Sequence, residues 1–238
     1  MRSSTRDFAN ALTFAAEKYF QLRALHQSLT TLDIGGGIPP QSSHYDYERL
    51  MVRFLGKVKE LAKKYQQPEP RIAFELGSFV AADAGMTVFK VSQEKVLENG
   101  TVWNIIDGGL MATIPDALMV NKVFTVLAGN NANYPAQEVG IAGITCDSDD
   151  TFPIKVSFNQ GKRVLMPKRD EESTYPQLVV FNDTGAYQET LSGEGGAHHC
   201  LLLQEAKVII RTGKDKKIHV KCLPRQTAEE IRKLMGYC

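Results

Sequence analysis

Leu32-Asp33-Ile34-Gly35-Gly36-Gly37-Ile38-Pro39 decides how the first third of the chain is read. A short apolar run that ends in three glycines is a strand running into a tight turn. Without a Cβ, such a turn lets backbone amides approach a phosphate closely. The same triplet also serves as an ordinary strand-to-helix turn. Upstream, residues 6–29 carry Phe8, Ala11, Leu12, Ala15, Tyr19, Leu22 and Leu25 at three- and four-residue steps, which predicts an amphipathic helix. Downstream, residues 44–65 predict a second helix with Leu50, Met51, Phe54, Leu55, Val58 and Leu61 on one face, stopped by Pro68 and Pro70. Arg71–Glu75 (RIAFE) reads as a second short strand. Helix, strand, helix, strand predicts parallel β/α units over residues 1–85. Two such units leave sheet faces wet and edges unpaired. The reading therefore expects more of this layer, either N-terminal to these residues or on another chain.

Past Gly85 the texture changes. Val88–Val91, Thr101–Ile106, Val123–Leu127, Val139–Cys146, Ile154–Phe158, Val164–Met166, Leu178–Phe181, Leu201–Arg211 and Ile218–Cys222 are short β-rich runs between turns. They predict an antiparallel sandwich or barrel over residues 86–238. Residues 225–236 read as a closing helix. Thr227 and Glu230 form a capping box there, and Gly236 forms the stop.

Composition narrows the function classes. The chain has 238 residues, is 43% hydrophobic and carries a net charge of +1, which gives no basic footprint for nucleic acid. No apolar run reaches membrane-spanning length. The opening MRSSTRDF has no apolar signal core, and Asp7 and Glu17 argue against a transit peptide. Cys146, Cys200, Cys222 and Cys238 form no CxxC pair. Free thiols in a reducing cytoplasm are the expectation.

Three more segments follow LDIGGG in order: Glu75-Leu76-Gly77, Cys146-Asp147-Ser148-Asp149-Asp150, and Gly185-Ala186-Tyr187-Gln188-Glu189. Each alone is weak. A solvated strand-end glutamate, a polar turn and a buried strand-end cysteine are the plain readings. The ordered set resembles the group IV decarboxylases, the alanine-racemase-like, fold-type III pyridoxal-phosphate (PLP) enzymes that act on ornithine, diaminopimelate or arginine. CDSD and GAYQE are most similar to biosynthetic arginine decarboxylase, an enzyme of polyamine biosynthesis. The resemblance implies a (β/α)₈ barrel followed by a β domain. This chain would hold only the last barrel units (1–85), then an antiparallel β domain with a C-terminal helix (86–238). The family's cofactor-bearing lysine and ring-stacking histidine lie on earlier barrel strands, and no lysine here sits in a matching motif.

The resemblance also assigns roles. Gly35, Gly36 and Gly37 match the loop that cradles the PLP phosphate, and Tyr187 matches a tyrosine whose hydroxyl touches it. Glu75 matches the carboxylate that pairs with the pyridine nitrogen, where a buried carboxylate favours the protonated ring. Cys146 matches the cysteine that returns a proton to carbon after CO₂ loss. Asp147, with Asp149 as a helper, matches the reader of the substrate's distal cation, since carboxylates form charge-assisted bonds to ammonium or guanidinium. In the family these acidic residues enter a partner subunit's site, which implies a dimer, or a complex with a chain supplying the N-terminal barrel half. A basic amino acid is the implied substrate. One position departs from the pattern. The family usually has arginine where Ser78 stands, and a hydroxyl supplies neither its charge nor its fork of donors. His198 and His199 follow a glycine-rich run, without further ligands for a metal, and read as a flexible loop.

Overall fold

The computed structural model describes residues 5–43, 45–154, 161–169, 175–188 and 195–237, together with Ser157 and Asn159. The chain divides into two compact units, Met1–Met86 and Thr87–Cys238.

The first unit is built on two long helices, α1 (Thr5–Leu25) and α2 (Tyr47–Tyr65). Asp46 caps α2 by accepting the Arg49 amide at 3.0 Å, and Gln66 ends the helix in the left-handed region. Their shared core holds Leu12, Ala16 and Phe20 from α1 against Leu50, Phe54, Val58 and Leu61 from α2. Each fully buried Leu or Phe contributes about 1.5–3 kcal/mol. The first helix stops at Leu25 rather than at residue 29. Past Leu25 the chain turns, and the Leu29 carbonyl is captured by the Tyr19 hydroxyl and the Arg23 guanidinium. Strands β1 (Thr31–Asp33) and β2 (Arg71–Ala73) pair in parallel, Leu32 opposite Ile72. With α2 between them they form one βαβ unit. The pairing continues past the strand ends, with the Ile34 amide on the Ala73 carbonyl at 3.1 Å and the Glu75 amide on Gly35 at 2.8 Å. Gly77–Ala81 then forms a short helix, α3.

The second unit is a seven-stranded sheet. Its strands are β3 (Met86–Val96), β4 (Val102–Ile106), β5 (Val126–Ala128), β6 (Ala136–Ala142), β7 (Thr151–Phe152), β8 (Val164–Pro167) and β9 (Leu178–Asn182). The order is β5-β9-β3-β4-β6-β7, with β8 also on β6. The sheet is mixed, which corrects the antiparallel expectation. β4 and β6 run parallel, Val102 opposite Val139 and Asn104 opposite Ile141. Two short helices, α4 (Leu110–Thr113) and α5 (Asp116–Met119), lie in the crossover between them. The core gathers Phe89, Val91, Ile106, Val139, Ile141, Met166 and Phe181, with Phe152 edge-on to Phe181.

Strands β10 (Lys207–Thr212) and β11 (Ile218–Leu223) form a separate antiparallel hairpin, and α6 (Ala228–Leu234) follows. Several strand expectations shorten, and the run from Val123 begins only at Val126. The run ending at Cys146 stops at Ala142. The run starting at Leu201 begins at Lys207, because Cys200 and Leu201 sit at φ of 56° and 52° inside a 3₁₀ turn. The run Ile154–Phe158 falls mainly outside the described residues. No described helix is long and apolar enough to cross a membrane.

Candidate functional site

In the first unit the glycine loop leaves β1 with Gly35 at φ 66° and Gly37 at φ 84°, conformations that favour glycine. Gly36 is required for a different reason. A Cβ there would drive into the Glu75 carbonyl oxygen, which is backbone and cannot yield. The Gly35 amide is taken by the Asp33 carboxylate at 2.9 Å. The Gly36 and Gly37 amides donate to nothing among the described residues. Two free N–H groups on a loop without Cβ atoms form a cradle that fits a phosphate. The backbone bond from Glu75 to Gly35 sets this cradle beside Glu75. Glu75 lies two residues beyond the end of β2 and is exposed.

In the second unit the acidic run is a loop fastened from within. Asp150 is 2% exposed. Its carboxylate accepts the Leu110 amide at 2.7 Å, the Thr145 amide at 3.1 Å and the Thr145 hydroxyl at 2.6 Å, while Gly143 donates to its carbonyl at 2.8 Å. Gly143 has no room for a Cβ against that carboxylate. A buried carboxylate with this many donors draws the chain out of β6 and leaves Cys146 and Asp149 exposed and Asp147 half-buried. Cys146 is exposed, and the Asp147 carboxylate takes the Asp149 amide at 2.9 Å. Asp150 was read only as part of a polar turn. Two of its donors, the Leu110 and Met111 amides, are 40 and 39 residues away in α4, an anchor that the local sequence does not mark.

The GAYQ segment follows the same plan. Gln188 is buried and its amide donates to the Asp116 carboxylate at 2.9 Å and to the Ala186 carbonyl at 2.8 Å. This anchor leaves Tyr187 at φ 62° and half exposed. Glu189 lies outside the described residues. The segment after the glycine-rich run is held, not loose. Gln204 accepts the Gly195 amide at 2.8 Å, and Gln226 reaches back to the Gly195 and Gly196 carbonyls. His198 is 6% exposed, and neither ring nitrogen has a hydrogen-bond partner among the described residues. It lines a small cavity with Asp107, Gly108, Thr113, Gln204 and Glu205. Two residues on, the Cys200 sulfur lies 3.7 Å from that of Cys146. The structure thus brings the glycine loop to Glu75, and Cys200 to the CDSD loop.

Comparison with known proteins matches residues 44–187 to the pyridoxal-dependent decarboxylase C-terminal sheet domain of the ornithine/diaminopimelate/arginine type. Diaminopimelate decarboxylase of Bacillus subtilis is 29% identical over 85% of this chain and 43% of its own length. Biosynthetic arginine decarboxylase of Shewanella halifaxensis is 29% identical over 48% of this chain and 17% of its own length. The chain spans about two fifths of the curated diaminopimelate decarboxylases it matches. Among solved structures, biosynthetic arginine decarboxylase from Campylobacter jejuni superposes with a TM-score of 0.75 at 16% identity, over 98% of this chain and 54% of that one. A diaminopimelate decarboxylase from Helicobacter pylori complexed with L-lysine gives 0.67 at 20% identity, over 98% and 51%. With the family match covering more than half of its residues, the chain belongs to the PLP-dependent ornithine/diaminopimelate/arginine decarboxylase family.

Proposed function

We propose that this chain is the C-terminal part of a PLP-dependent decarboxylase for an amino acid with a cationic distal end, arginine being preferred, and that it acts only with an N-terminal barrel half. The observation that carries this reading is the CDSD loop. A buried Asp150 holds it with Cys146 and Asp149 exposed and Asp147 half-buried. When bound, the cofactor supplies an electron sink for the carbanion left by CO₂ loss. The residues of this chain do the rest. The Gly36 and Gly37 amides hold the phosphate. Glu75 holds a proton on the ring nitrogen. Asp147 and Asp149 bind the distal cation, and Cys146 donates a proton to the substrate's Cα. The working assembly is a dimer, and cytoplasmic.

A second substrate has its own support. Curated diaminopimelate decarboxylases align over 72% and 85% of this chain, against 48% for the arginine enzyme from Shewanella halifaxensis. The test is complementation. The 238-residue chain is incubated with PLP, alone or with a separately expressed N-terminal barrel half from a relative, and CO₂ release is followed from labelled arginine and labelled diaminopimelate. The chain alone should release none. The pair should act on arginine with the higher kcat/KM, and Cys146→Ala should lower kcat by roughly 10²-fold or more. Preference for diaminopimelate would select the second substrate. A pair that folds, binds PLP and releases nothing would mark a non-catalytic relative that serves as an interaction partner, a reading that Ser78 in place of arginine favours.

A further inference from the structure

We propose that Cys146 and Cys200 form a redox-active dithiol site, which a two-electron oxidant of the hydroperoxide class converts to an intrachain disulfide. The two sulfurs are 3.7 Å apart although 54 residues separate them in the chain. Both cysteines are exposed, so a small oxidant reaches either one. Cys222, the other described thiol, stands on β11 and is exposed without a neighbouring sulfur among the described residues.

The two segments are fastened to one corner of the second unit. Asp150 ties the Cys146 loop to the Leu110 amide. Leu202, two residues past Cys200, packs over Gly109 so closely that a Cβ there would meet its Cδ1 at 2.5 Å, with the Thr145 methyl at 3.0 Å. The far side of the Cys200 segment is clamped by Gln204 and Gln226, the Gln204 amide donating to the Gln226 side chain at 3.0 Å. Cys200 and Leu201 sit at φ of 56° and 52°. Consecutive non-glycine residues in this region persist only where the surroundings impose them. The contact between the thiols is therefore set by buried groups on both sides. Closing 3.7 Å to a disulfide bond length asks for about 1.6 Å of approach.

The chemistry balances. One thiolate attacks a peroxide oxygen, the O–O bond breaks, and water leaves with a sulfenic acid on sulfur. The second thiol attacks that sulfur, the S–O bond breaks, and a second water leaves as the S–S bond forms. Two thiols are oxidised by two electrons and one hydrogen peroxide is reduced to two waters. The hydrogen bond with Cys200, and next the charge of that sulfur, push the Cys146 thiol up from its ordinary pKa. The disulfide does not depend on the decarboxylase reading. Its effect on turnover does, because a linked Cys146 has no proton to give.

The full chain is treated with hydrogen peroxide, quenched with N-ethylmaleimide and digested with trypsin. The expected product links peptides 123–155 and 170–207, which carry Cys146 and Cys200. It should be lost on dithiothreitol treatment, absent from Cys200→Ser and retained in Cys222→Ser. The same oxidation in urea should scramble pairing among all four cysteines. Native pairing no more selective than in urea, or Cys146 carried to sulfinic acid without linkage, would overturn the site. In the complemented enzyme, peroxide should stop turnover reversibly, and Cys200→Ser should resist that loss. A disulfide with turnover unchanged would uphold the site and overturn Cys146 as the proton donor.

Discussion

At the scale of single residues, adjacent glycines in one loop are required for different reasons. Gly35 needs its left-handed φ but has open space where a Cβ would go. Gly35→Ala should therefore cost about 1–2 kcal/mol, and Gly35→Asn less, since asparagine tolerates that region. Gly36 has no unusual φ, yet a Cβ there meets the Glu75 carbonyl. Gly36→Ala must part the loop from Glu75, and overpacking against backbone costs about 1–3 kcal/mol. Thermal melts should rank Gly36→Ala as the least stable of the three. Equal melting temperatures for Gly35→Ala and Gly36→Ala would contradict the close approach. The glycine triplet was legible in the sequence because it is local. The division of labour within it was not, because Glu75 reaches it only through the βαβ crossover. Asp150 shows the same limit, with two of its donors 39 and 40 residues away in α4.

At the scale of elements, local chemistry made the last helix readable. Thr227 caps α6 by accepting the Glu230 amide, and the Glu230 carboxylate returns to the Thr227 amide at 2.7 Å. These bonds, that from the Thr227 backbone first and its hydroxyl second, hold the Glu230 carboxyl below the usual carboxylate range. A depressed folded pKa gives stability that is present above the unfolded value, about 4.3, and is lost as pH falls through the folded one. The protection of α6 amides in hydrogen exchange should thus hold at pH 6 and decline in acid below pH 4.3. Glu230→Gln should flatten that decline, and an undiminished slope would locate the acid sensitivity elsewhere. The start of β10 was misread for a complementary reason. Leu201–Leu203 has the composition of a strand, but Leu202 is drawn down onto Gly109 and the left-handed pair Cys200–Leu201 breaks the ladder. Apolar composition does not distinguish a residue that packs from one that pairs.

At the scale of the molecule, the two units differ in self-sufficiency. The first has a two-stranded parallel sheet beneath two helices. The second has a seven-stranded sheet and its own aromatic core. Limited proteolysis of the isolated chain should remove the first unit and leave a resistant fragment of residues 87–238. Survival of residues 1–86 instead would reverse that order. The change of texture near Gly85 was legible because strand length and turn spacing change there. The parallel β4–β6 pair was not, because direction is a property of the connection and leaves no mark on either strand.

That pair also fixes the order in which the sheet can assemble. β10 and β11 are joined by a turn at Gly213–Lys217, so they meet as a hairpin, a microsecond event. β4 and β6 lie in register only after residues 107–135 have been led across, with α4, α5 and β5 in place. Loop closure over that length must be met before the ladder returns any energy, which places the central pairing late in refolding. Pulsed amide labelling during refolding should find the Ile209 and Arg211 amides protected before those of Asn104 and Ala142. The interval between them is the time during which newly made chains expose an unpaired strand edge at the centre of the sheet.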